Sequence, residues 1–302
     1  MKKFVLLALL ALLAGAPVRI AAEEPFFFIQ LSDPQLGMFT ENKDFVQDAA
    51  NFVFAVTAVN RLRPAFVVIT GDLVHKPGDA AQIAEYRRIA GKIDAAIPVY
   101  HIAGNHDVKN EPTPESLADY IKIFGPDRYT FSHRSVTGIV LNSSVIHSPQ
   151  GAPQHLAEQE RWLRTELMQA KAAGAPHIVV FQHHPWFIAT ASEPDQYFNI
   201  PLARRAAYMA LFREFGVKYL FCGHYHRNAE GRDGDIQNIT SGPVGKPLGG
   251  AKSGLRVAIV RDAVIEHRYY ELGELPVNVE LTPPAPKTKQ AIPDERRFPN
   301  RR

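Results

Sequence analysis

Short apolar runs rich in β-branched and aromatic residues alternate along this chain with longer segments of helical period. The pattern predicts strands over 26–31, 66–70, 99–102, 138–142, 177–182, 218–222, 236–240, 255–260 and 264–270. It predicts helices over 45–62, 80–95, 115–124, 157–173 and 202–215. The early strand–helix alternation implies a parallel sheet covered by helices. The late strands follow one another without helices, so antiparallel pairing is expected there. The fold class is α/β, a sandwich of two mixed sheets.

Polar clusters sit directly after five of the apolar runs: Asp33 and Gln35 in SDPQ, Asp72 in GDL, Asn105, His106 and Asp107 in GNHD, His183 in FQHHP, and His224 and His226 in GHYH. Layered folds gather ligands beyond the carboxyl ends of their strands. Carboxylate, amide and imidazole groups are the donors that hold Zn, Fe or Mn. Five such ends in one chain point to a two-metal hydrolase. Such a site needs an anion shared by both ions, and Asp72 is the candidate, with Gly71 permitting a tight turn before it. His224 and His226 stand two apart after a Gly, which suits two neighbouring ions. A structural role for both would need two neutral partners for buried imidazoles, which is costly. His183 is preferred over His184 as a ligand because it directly follows the strand, leaving His184 free to touch substrate. Asp107 is expected to orient its loop through backbone hydrogen bonds. His101, His133, His147, His155 and His177 lack partner clusters and read as structural.

The ordered blocks DPQ, GD, GNHD, H and GHYH resemble the pattern of the calcineurin-like metallophosphoesterase superfamily across about 26–270. The longer stretches GDLVHKPG, DQYFNI, GHYHRNAEG and HRYYELGEL look like one subfamily, calcineurin-like phosphoesterase domain-containing proteins related to a vertebrate serine/threonine protein phosphatase. The resemblance implies a four-layer αββα sandwich, two mixed β-sheets flanked by helices. It implies two divalent or trivalent metal ions (Fe, Mn, Zn or Mg), one held by Asp33, Gln35, Asp72 and His226 and the other by Asp72, Asn105, His183 and His224. It also implies that His106 is the general acid, protonating the leaving oxygen as a metal-bridging hydroxide attacks phosphorus. Gln35 departs from the usual histidine, and an amide oxygen is the weaker ligand. His75 stands where related phosphoprotein phosphatases carry a carboxylate supporting the acid, so that support is expected to be missing or altered. The GDxxDRG box is absent, with His75-Lys76 in place of its Asp-Arg. Phosphate recognition then falls to other cations: His75, Lys76, His184 and Arg227. The implied activity is hydrolysis of phosphomonoesters, on a small phosphorylated substrate or a phosphoprotein bearing phosphoserine or phosphothreonine. A nucleotide phosphodiesterase or pyrophosphatase is the alternative. A non-catalytic metal-binding scaffold is the other, and the presence of His106 speaks against it.

Composition adds limits. With 46% hydrophobic residues, the 302-residue chain can bury a large core, expected as one domain over 23–275. The net charge is only +3, and Lys2, Lys3, Arg296, Arg297, Arg301 and Arg302 carry more than that excess at the ends. The body therefore shows no nucleic-acid footprint. Lys2-Lys3, an apolar run over 4–14 and the small pair Ala21-Ala22 read as a signal peptide over 1–22, cleaved after Ala22. That run is half of the roughly 20 residues a membrane span needs. A secreted or periplasmic protein, free of the membrane after cleavage, is expected. The single cysteine, Cys222 in YLFCG, reads as a small core residue, which an oxidising compartment tolerates. Segment 276–302 is expected to be a disordered, basic, Pro-rich tail. The irregular stretch 186–201, with Trp186, Phe187, Tyr197 and Phe198, is a lid, a substrate wall or a packed surface loop.

Overall fold

The first strand shows how the sandwich is layered. Phe26 and Phe28 join one apolar cluster, while Phe27, Ile29 and Leu31 join another. This period-2 alternation places one face of the strand between two sheets and the other under helices. Further along, Val179 and Phe181 join the inter-sheet cluster, while Ile178 and Val180 join the helix-covered one. The computed structural model describes residues 24–262 and 264–282. The expected signal peptide 1–22 lies outside the described residues, as does the tail from 283 onward.

The strands are β1 (Phe26–Leu31), β2 (Val67–Ile69), β3 (Val99–His101), β4 (Tyr129–His133), β5 (Val136–Val140), β6 (His177–Phe181), β7 (Tyr219–Cys222), β8 (Ala229–Asp233), β9 (Ile236–Thr240), β10 (Gly254–Val260) and β11 (Ile265–Glu271). The helices are α1 (Val46–Leu62), α2 (Ala80–Ala90), α3 (Asn105–Val108), α4 (Pro114–Phe124), α5 (Ser143–His147), α6 (Pro153–Ala172) and α7 (Leu202–Phe215). One sheet runs β11-β10-β1-β2-β3 and the other β4-β5-β6-β7-β9-β8. In the first, β1, β2 and β3 are parallel and β10 and β11 antiparallel; in the second, β5, β6, β7 and β9 are parallel with antiparallel edges. The fold is the expected αββα sandwich of two mixed sheets. Among the described residues, no helix is long and apolar enough to cross a membrane.

Several elements differ from the sequence pattern. β9 pairs with β7 in parallel, not antiparallel, because β8 folds back on β9 as the outer strand and the ligand-bearing turn supplies the crossover. β4 and β8 escaped the pattern because each is an edge strand with only its central residue buried. α2 ends at Ala90, capped at Gly91, short of the expected 95. α6 starts four residues earlier than expected, at Pro153, where a ring-fixed φ and a missing N–H suit the first turn. The packed chain also continues past the expected boundary at 275. Arg61 donates to the carbonyls of Val277 (2.5 Å) and Pro276 (2.9 Å), and Val279 and Leu281 pack on the core.

Candidate metal centre

The five loops that follow β1, β2, β3, β6 and β7 meet at one end of the sandwich. Below them Gln30 bridges the sheets, its amide donating to Thr70 Oγ1 (3.0 Å) and to the Cys222 carbonyl (2.9 Å). The loops are also tied to each other by backbone bonds: Asp33 N–H to Gly71 O (3.2 Å), Gln35 N–H to Asp72 O (2.8 Å) and Gly223 N–H to His183 O (2.9 Å). Asp33, Gln35, Asp72, His224 and His226 all have left-handed backbone, with φ between 38° and 66°. Such a conformation costs a non-glycine residue about 1–3 kcal/mol and collects at functional sites. Glycines make the close approach possible. A Cβ on Gly104 would lie 2.1 Å from Asp72 Oδ1, and one on Gly223 would lie 2.0 Å from Ser32 Oγ.

The side chains converge into two donor groups, Asp33–Asp72–His226 and Asp72–His183–His224, whose ligand atoms lie within 4.8 Å of one another in each group. Asp72 belongs to both. Around His183 Nε2 stand Asn105 Oδ1 at 3.0 Å, His224 Nδ1 at 3.1 Å and Asp72 Oδ2 at 3.3 Å. His226 Nε2 faces Asp33 Oδ1 at 3.5 Å. All seven side chains picked from the sequence are buried there.

Backbone carbonyls fix the ring orientations. His183 Nδ1 meets Thr70 O (2.8 Å), His226 Nδ1 meets Lys246 O (2.5 Å) and His224 Nε2 meets Tyr197 O (3.3 Å). Each carbonyl accepts a ring N–H, so the other nitrogen is the one turned into the cluster, the outer support that metal-binding imidazoles commonly have. Gln35 Oε1 is buried without a hydrogen-bond partner among the described residues, while its Nε2 lies 3.3 Å from His75 Nδ1. A buried orphan oxygen, three oriented imidazoles and two carboxylates fit a pair of cations.

Electrostatics agree with a cation site. Burial alone would raise the Asp72 carboxyl, but His183, His106 and His224 hold it well below the ordinary carboxylate range. Burial opposes protonation of His183, yet Asp72 and Asp33 push it up to about 9. Burial, with His183 beside it, drives His224 far down into the neutral form a ligand needs. Burial raises Asp33, against the pull of His226 and His183.

His106 sits at the rim, half-buried. Its backbone N–H donates to Asp72 Oδ1 (2.9 Å), its Nδ1 meets the His75 carbonyl (2.7 Å), and its ring stacks on that of His75 at 4.7 Å. The support expected to be lost with the missing carboxylate is thus provided by a backbone oxygen. Asp107 is buried and accepts the N–H groups of Gly104 (2.8 Å), Leu73 (2.9 Å) and Val74 (3.3 Å), joining two loops. Burial, then nearby Asp72, push it up to about 8.

The remaining expected substrate contacts are placed unevenly. His75 lies at the rim. His184 is buried behind the site, facing Ser143 Oγ (3.0 Å) and ring-packed against His224 at 4.3 Å, and burial drives it neutral. A neutral, enclosed ring offers no cation to phosphate, so its place is structural. Lys76 is exposed and 3.8 Å from Asp79. Arg227 is half-buried over the Tyr225 ring at 5.1 Å. Sequence reasoning missed Lys246, whose charge reaches His75, and Asn110, whose Oδ1 takes the Asn105 amide (2.7 Å). Neither carried a motif that could have revealed it.

Comparison with known proteins agrees with this geometry. The model of the calcineurin-like phosphoesterase family matches residues 28–228. The bovine serine/threonine-protein phosphatase CPPED1 is 37% identical over 266 residues, covering 83% of this chain and 85% of its own length. Among solved structures, the Plasmodium inner-membrane-complex anchor GAP50 aligns with a TM-score of 0.63 at 14% identity, over 83% of this chain and 85% of its own. A dimetal phosphatase from zebrafish aligns at 0.56 and 17% identity, over 82% of this chain and 100% of its own. At such identities the structures speak for the fold alone. The family model and the bovine relative reach further: the matched residues 28–228 run through the same loops that bring Asp33, Asp72, Asn105, His183, His224 and His226 together, the bovine identity extends over most of both chains, and the chain belongs to the calcineurin-like phosphoesterase family.

Proposed function

We propose that this chain is a metal-dependent phosphomonoesterase in which His106 is the general acid. One observation carries the reading: two donor groups share Asp72, and the His106 backbone is hydrogen-bonded to that same carboxylate. Asp33, Gln35, Asp72 and His226 would hold one cation, and Asp72, Asn105, His183 and His224 the other. Such ions supply Lewis acidity to the phosphoryl oxygens and activate a water as nucleophile. The imidazole, carboxylate and amide donors, without thiolate, suit Fe, Mn or Zn better than Mg. His106 donates its Nδ1–H to the His75 carbonyl, which leaves Nε2 as the nitrogen that, in the imidazolium form, gives its proton to the leaving oxygen and ends the step as neutral imidazole. Arg227 and Lys246 supply positive charge at the rim for phosphate, whereas burial and the neighbouring His106 hold the His75 ring toward its neutral form.

Phosphoserine and phosphothreonine are the favoured substrates, on the strength of the name borne by the bovine relative and its similarity along 83% of this chain. The order of basic, apolar and small residues at the N-terminus supports export to a secreted or periplasmic location.

The test is His106→Ala. The variant should keep both metals and lose about 10²–10⁴ of its rate on an alkyl phosphate. The loss should be smaller on p-nitrophenyl phosphate, whose leaving group needs no proton. Equal losses on both substrates would remove His106 from the acid role. Faster turnover of bis(p-nitrophenyl) phosphate than of the monoester would replace the monoesterase reading with a diesterase.

A further inference from the structure

The segment 188–200, between the His183 block and α7, is pinned from two sides. The Glu193 carboxylate accepts the N–H groups of Ile188 (2.7 Å), Ala189 (2.8 Å) and Thr190 (3.2 Å), and the amide of Asn199 (2.7 Å). Buried Arg205 donates to the carbonyls of Glu193 (2.7 Å), Ala191 (2.9 Å) and Ile200 (2.8 and 3.2 Å). A loop with so many internal bonds is a fixed wall and not a hinged lid.

That wall stands at the metal centre. The Tyr197 carbonyl takes the His224 ring N–H, and the Tyr197 ring lies 5.0 Å from the His224 ring. Its phenol faces Asn105, the neighbour of His106, and senses the charges of Asp72 and Asp33. Phe198 packs at 5.7 Å from His224 and edge-on to Tyr225 at 5.1 Å. Yet Tyr197 is 56% exposed, above ligands that are buried. An aromatic ring fixed at that place, with much of its surface open, is available to pack against a bound molecule.

We propose that Tyr197, backed by Phe198, is a specificity-determining wall for the leaving group, favouring phosphoesters with a flat apolar group next to the ester oxygen. The inference rests on the phosphomonoesterase reading and adds the substrate class. Benzyl and n-propyl phosphate test it, since their leaving alcohols have similar basicity and differ in the ring. Wild type should favour the benzyl ester in kcat/KM by about two- to tenfold, the range of one aromatic contact. Tyr197→Phe should keep that ratio, and Tyr197→Ala should bring it near one. Benzylphosphonate and n-propylphosphonate binding to Mn-loaded protein, measured by calorimetry, should show the same preference without turnover. Hydrolysis of both esters with a ratio unchanged in Tyr197→Ala overturns the wall and leaves the phosphatase reading standing. Selective phosphonate binding through Tyr197 without hydrolysis of either ester keeps the wall and overturns the phosphatase reading. Neither hydrolysis nor selective binding overturns both.

Discussion

Loading this chain with metal should release a proton at neutral pH, and His183 is the source. Its Nε2 lies 3.3 Å from Asp72 Oδ2, both groups fully buried. At an effective dielectric of about 20, a unit pair at that separation attracts by about 5 kcal/mol. Burial opposes this, and the balance leaves the imidazole at about 9, above its ordinary 6.5. Nε2 is also the nitrogen turned into the donor cluster, so a cation must displace its proton. At pH 7 that displacement costs about 3 kcal/mol, roughly a hundredfold in affinity. Affinity for the ion beside His183 should therefore rise about tenfold per pH unit from 7 and level off near 9. Mn titrations by calorimetry, repeated in buffers of different ionisation enthalpy, read both the affinity and the proton count. About one proton should be released per ion at this position. Asp72→Asn removes the strongest anionic influence on His183, so the variant should release little or no proton at pH 7. An affinity independent of pH between 7 and 9, with no proton released by wild type, would refute the reasoning.

Two further outcomes follow from the loop that carries Gln35. Asp48 is buried on α1, accepts the Gly37 N–H (3.1 Å), leaves Oδ1 without a partner among the described residues, and is pushed up to about 6 by burial. Because its folded value lies above the ordinary 3.8, its stabilising contribution is complete below 3.8 and lost as pH rises through about 6. Asp48→Asn should then stabilise the protein at pH 7 by about 2 kcal/mol, roughly 3 from removing the ionisation cost less about 1 for an unpaired amide; a lower urea midpoint than wild type would sink this. Gln35→His should tighten the ion held by Asp33, Asp72 and His226, because imidazole is the stronger donor. Unchanged stoichiometry and affinity in metal titrations would exclude Gln35 from the coordination sphere.

Much of the candidate site was legible because each donor follows an apolar strand. Asp33, Asp72, Asn105, His183 and His224 each come just after such a run, and strand ends in a layered fold lie at one edge. The groups that orient the donors were not legible. His75 appeared as a lost carboxylate, but its backbone carbonyl, common to every residue type, accepts the His106 ring N–H. Lys246 and Tyr197 act on His226 and His224 in the same way, through main-chain oxygens without sequence signature. His184 illustrates the reverse error: its position beside His183 suggested contact with substrate, whereas burial made it neutral packing. The edge strands β4 and β8 were missed because an edge buries too little to enforce an apolar pattern.

Hydrophobic periodicity determined the buried strands and the long helices, and the residues after each strand determined which donors were available. Their chemistry is local and is written in the side chains. The tertiary structure decided which donors share Asp72, which imidazole nitrogen faces inward, and that Tyr197 stands over the centre on a fixed loop. Those features depend on backbone oxygens, left-handed turns and burial, and all three arise only when segments as distant as 33 and 224 are packed together.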